Sequence, residues 1–89
     1  MANSRTTVTL STSFGDVMIS HETFDIASVC HRGNEKLMAD QMELDIKRLR
    51  AGLGIEVLRE ECRNGTEAGS AEEAGWSGWA DAAEAMANA

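Results

Sequence analysis

The stretch Asn34 to Ala51 constrains the fold more than any other part of the chain, because its local signals all agree. Asn34 is a good N-cap, Glu35 lies in the first turn, Arg48 and Arg50 lie in the last, and Gly52 follows as a stop. Both ends of a helix dipole are thereby satisfied. Met38, Met42, Ile46, Leu49 and Leu53 project within a stripe under about 90° wide, the seam of a helix packed on a core. Leu37 and Leu44 lie on a second flank, roughly 100 to 160° from the stripe's centre, where one packing partner leaves them partly exposed. They mark a candidate contact surface.

Upstream, Arg5 to Ser11 alternates Val8 and Leu10 with Thr7, Thr9 and Ser11, as a half-buried strand does. Thr12 to Asp16 then reads as a hairpin loop, with Gly15 free to take a positive φ, leading into a second strand from Val17 to Ser20. A two-stranded hairpin does not stand alone in water, so a helix must cover its apolar side. His21 to Arg32 is ambiguous between strand and helix; helix is favoured, with Ser20 or Thr23 as cap and Gly33 as stop. Ile55 to Cys62 fits a short helix or a strand equally well.

At Asn64-Gly65 the composition shifts. From Gly65 to Ala89 there is no β-branched aliphatic residue, and only Ala, Gly, Glu, Ser, Thr, Trp, Asp, Asn and Met occur. Residues 65 to 71 read as a linker and Ala80 to Asn88 as a helix, with Trp76, Trp79, Ala83 and Met86 at spacings of three, four and three. Gly75 and Gly78 weaken that helix by about 1 kcal/mol each. The expected organisation is a compact α+β domain over 1–64, an N-terminal β-hairpin packed on two or three helices, followed by an acidic tail over 65–89 bearing a short Trp helix.

Charge follows the same boundary. Residues 1–33 hold two basic and three acidic side chains, residues 34–63 six and seven, and residues 64–89 none and five, so five of the seven excess negative charges lie in the tail. Duplex or anionic membrane binding needs a clustered positive surface, so neither nucleic acid nor membrane is expected as direct partner. Lys47, Arg48 and Arg50 form the one basic run, balanced locally by Glu43 and Asp45. Arg5 is followed by alternating Thr, Val and Leu rather than a signal-peptide core, and no stretch approaches 18 apolar residues, so a cytoplasmic location and reduced Cys30 and Cys62 are expected.

At 89 residues folding hides only roughly 60% of the unfolded surface, and Phe14, Phe24, Trp76 and Trp79 are the only aromatic side chains. Such a thin core invites completion by a partner or a second copy. The tail surrounds Trp76 and Trp79 with Glu72, Glu73, Asp81 and Glu84, a combination suited to a basic, apolar-floored groove on another protein. The competing reading folds both indoles back into the chain's own core. A homodimer through Leu37 and Leu44 is compatible with either.

Reactive constellations are weak. Cys30, His31, Cys62 and His21 would suffice in number for a tetrahedral zinc site, but they lack the paired spacing, and adjacent Cys30 and His31 point apart. Cys30 with His31 or His21 and Asp25 is the only nucleophilic assembly to be written down, no Gly-rich phosphate loop occurs, and Glu60-Glu61 and Glu72-Glu73 read as solvated pairs. No enzyme activity, metal or cofactor is expected. The leading expectation is a non-enzymatic inhibitor or adaptor that occupies a partner's surface through Trp76, Trp79, Glu72, Glu73, Asp81 and Glu84 or through Leu37 and Leu44. A nucleic-acid-handling protein would suit it, with carboxylates standing in for phosphates, and phage proteins that counter host defence are one setting for so small and acidic a chain. The alternatives are a self-assembling structural subunit and a small metal-binding domain.

Overall fold

The structure, a computed structural model, describes residues 7–89. Strand β1 (Thr7–Thr12) pairs antiparallel with β2 (Gly15–Ser20), placing Val8 opposite Ile19 and Leu10 opposite Val17 on one face. The start expected at Arg5 and Thr6 lies outside the described residues. The loop is tighter than the expected Thr12 to Asp16 segment, since Thr12 pairs with Gly15 and only Ser13 and Phe14 intervene. The Thr12 hydroxyl donates to the Gly15 carbonyl at 2.6 Å and accepts from Phe14 N at 3.1 Å, while Gly15 takes φ of +121°. Such a conformation favours glycine because it carries no Cβ.

Four helices follow: α1 (His21–Cys30), α2 (Glu35–Arg50), α3 (Ile55–Arg63) and α4 (Ala71–Ala87). Both ambiguous segments are therefore helical. Helix α1 is capped by Ser20, whose Oγ accepts from Thr23 N at 3.1 Å. Helix α2 starts where its sequence signals place it, with Asn34 Oδ1 accepting from the backbone of Lys36 and Leu37. Helix α3 begins at Gly54 with no side-chain cap.

The last helix departs most from expectation. It begins nine residues before Ala80, at a Ser70-x-x-Glu73 capping arrangement in which Ser70 Oγ accepts from Glu73 N and the Glu73 carboxylate accepts from Gly69 N. Gly75 and Gly78 sit inside it because α1 crosses there. A Cβ at Gly78 would stand 2.5 Å from Thr23 Oγ1, and one at Gly75 would collide with Ile26. At the crossing Thr23 Oγ1, buried, donates to the Gly75 carbonyl at 2.7 Å. The propensity lost at two glycines is exchanged for close helix–helix contact.

Helix α4 is the centre of the packing. It touches α1, α2, α3 and β2, whereas α2 covers β1. Covering of the hairpin therefore falls chiefly to α2 and α4. The core joins Leu10, Val17 and Ile19 of the hairpin with Ala27 of α1, Met38, Met42 and Ile46 of α2, Leu58 of α3, and Trp79, Ala80 and Ala83 of α4. The residues before and after Asn64 thus share one core.

Candidate functional site

Of the residues singled out on α4, each has a definite place. Trp79 is completely enclosed, which makes it a core residue and removes it from any exposed contact surface. Trp76, half-buried, meets it edge-on with ring centroids 5.9 Å apart. Asp81 and Glu84 face α3, where Arg59 reaches them at 2.8 and 3.8 Å, so these carboxylates brace two helices together. Glu73 serves the N-terminal cap, and Glu72 is exposed in the first turn. The apolar-acidic face expected to meet a partner is therefore divided: Trp79 is enclosed, Trp76 is half-buried, and two of its carboxylates hold α3.

What Trp79 finds inside is a carboxylate. Its Nε1 donates to Asp45 Oδ2 at 2.9 Å, Gln41 Nε2 donates to Asp45 Oδ1 at 3.1 Å, and Asp45 is only 3% exposed. Arg48, one turn on, reaches that carboxylate only at 3.7 Å because it forms a bidentate pair with Glu61 at 2.7 and 2.8 Å. Burial pushes the Asp45 carboxyl above its ordinary range, opposed by the two hydrogen bonds and by Arg48. The Arg48 guanidinium holds Glu61 below the usual carboxylate range.

Beside this pair a cleft of about 360 Å³ opens between the end of α1 and the facing sides of α2, α3 and α4. Trp76 and Trp79 form one wall and Leu58 lies with them, while Asp45, Gln41 and Glu61 supply its polar groups. Cys30 and His31 come to it from the α1 terminus and Cys62 from α3. Both cysteines are free thiols. Burial pushes the Cys62 thiol up to about 11, which keeps it protonated and weakly nucleophilic near neutral pH. His31 Nδ1 lies 2.7 Å from the Ala27 carbonyl, a contact that fixes the ring as an Nδ1 donor on its own helix.

Among the described residues no three His, Cys, Asp or Glu side chains gather closely enough to hold an ion. His21 opens α1 while Cys30 closes it, and nine steps of helical rise separate them by about 13 Å. Also among the described residues, no helix is long and apolar enough to cross a membrane.

No protein-family model, curated protein or solved structure matches this chain. Its chemistry has to be read from its own surface. Leu37 and Leu44, singled out from the sequence, are each 49% exposed on the outer flank of α2, and Gln41, between them on the same flank, reaches into the cleft. Sequence reasoning missed Asp45, which it treated as a local balance for the basic run. A signal was present: Asp45 projects only about 20° from Met38, at the edge of the core stripe, where a carboxylate requires a buried donor such as an indole.

Proposed function

We propose that this chain is a non-enzymatic protein-binding domain, an inhibitor or adaptor that works by occupying a partner's surface. The observation that carries the reading is the outer flank of α2, where Leu37 and Leu44, two helical turns apart, each leave about half of a large apolar side chain in water on an otherwise well-packed helix. Glu72 and the other exposed carboxylates, with a net charge of -7, favour a partner whose contacting surface is basic, and proteins that handle nucleic acid present such surfaces.

The test uses the intact chain as bait in an extract of its native source, beside a Leu37→Glu/Leu44→Glu variant. Both positions are exposed, so the variant should keep its helical content and buried indole while losing the captured protein by at least about tenfold, as hot-spot substitution does. Retention of the same protein by the double variant would refute the assignment. The second reading, self-assembly through the same flank, predicts a concentration-dependent dimer in sedimentation that the double variant abolishes; the like charge on both copies opposes it.

A further inference from the structure

We propose that the cleft between α2, α3 and α4 binds an organic cation, a guanidinium or alkylammonium group, with the Asp45 carboxylate as counter-charge and the Trp76 indole as wall. The inference stands apart from the protein-binding reading, which rests on the outer flank of α2. The cleft, at about 360 Å³, has room for one such group with a short apolar stem. Two carboxylates, Asp45 and Glu61, line it, and no lysine or arginine does. Arg48 is shared between these two carboxylates, so the pair is not fully neutralised.

Asp45 is the decisive group. It is nearly enclosed, yet its partners are an indole N–H and a carboxamide, both neutral donors. The nearest guanidinium, Arg48, is committed to Glu61 and stays at 3.7 Å. A nearly enclosed carboxylate whose one neighbouring guanidinium is shared with a second carboxylate still gains from an incoming cation, because attraction is strongest where water is excluded. Trp76 adds a second kind of recognition: a cation held within about 6 Å of an indole face is drawn to its electron-rich surface. Asp45 supplies the charge, and the Trp76 indole selects an organic ion over a hydrated inorganic one.

Trp76 and Trp79 are the only tryptophans and both line the cleft, so the intrinsic fluorescence of the full chain reports occupancy directly. The probes are agmatine, an acetyl-Gly-Arg-Gly-amide peptide, and isopentanol as an uncharged comparator, all titrated at constant ionic strength. Agmatine or the peptide should give a saturable change and isopentanol none. If the peptide binds more tightly, the site takes a side chain of another protein; if agmatine does, it takes a free amine. Asp45→Asn keeps the side-chain shape and an acceptor for Trp79, and should weaken cation binding by about tenfold or more. Trp76→Leu, read by the remaining Trp79, should weaken it several-fold and decides the matter if the Asp45 variant does not fold. No saturable response to either cation, an equal response to isopentanol, or unchanged affinity in a folded variant overturns the proposal.

Discussion

Asp45 and Trp79 define how single residues control this molecule. A carboxylate forced into the interior is disfavoured as an anion, and here desolvation outweighs the help given by Trp79, Gln41 and Arg48, so its native pKa lies above the ordinary 3.8. A raised carboxyl pKa means that the folded state binds this proton more tightly than the unfolded chain does; the stability this group contributes is present in full below its unfolded pKa and is lost as pH rises through the native one. Glu61, lowered by Arg48, contributes in the opposite sense: its share is present above its unfolded value of 4.5 and is lost as pH falls through the lower native value. Urea titrations of Asp45→Asn should therefore show a chain more stable than wild type at pH 7, with the gap closing on acidification toward pH 4. A variant less stable at pH 7 would mean that the charge, and not only the acceptor, is required. Removing the donor is different, since Trp79→Phe leaves a buried carboxylate short of a partner and should cost about 2–4 kcal/mol. The thiols separate by the same logic of burial. At pH 8 a disulfide reagent should modify exposed Cys30 quickly and Cys62, held protonated, far more slowly in the folded chain; equal rates would contradict the burial of Cys62.

Among the elements, those specified by neighbours in sequence were legible and those specified by distant contacts were not. Helix α2 carries its own cap, its own stripe and its own stop, so its bounds follow from local chemistry alone. The hairpin was legible for the same reason, apart from its two-residue turn, which depends on the Thr12 hydroxyl closing onto Gly15. Helices α1 and α3 have ten and nine residues, too few for helical and strand periods to separate clearly. In α4 the glycines read as weakness because their reason lies on another helix, fifty residues back. A Gly-to-Ala change on an exposed helix stabilises by about 1 kcal/mol. At position 78 the sign should reverse: the new methyl meets Thr23 Oγ1, which donates to Gly75 and accepts from the Ser20 hydroxyl and so has little freedom to turn away. Gly78→Ala should lose about 1–3 kcal/mol in denaturant unfolding, and adding Thr23→Ala should recover part of it through non-additivity. A stabilised Gly78→Ala chain would show that the two helices do not approach so closely.

On the scale of the whole molecule, the segment beyond Asn64 behaves as a keystone. Its composition suggests a tether because it lacks branched aliphatic residues, but alanine, glycine and one indole suffice to fill a space enclosed by α1, α2, α3 and the hairpin. Its ends are fastened as well. Arg59 of α3 grips Asp81 and Glu84, while Arg50 at the close of α2 donates to the Met86 carbonyl at 3.2 Å and lies 4.9 Å over the Phe14 ring. Arg50 thereby places a cation at the C-terminus of a helix whose own last turn has none. A domain of this length is stable by roughly 4–13 kcal/mol, and truncating one buried tryptophan alone costs about 3–5. Loss of all of α4 would strip Trp79, Ala80 and Ala83 from the core and uncover the sides of α1, α2, α3 and β2 that it packs against. The fragment 1–64 should therefore show no cooperative unfolding transition, and a synthetic 65–89 peptide added in trans should restore helical content and bury its tryptophan emission. A fragment that unfolds cooperatively without the peptide would return this segment to the role of a free arm, with its indoles available to another protein.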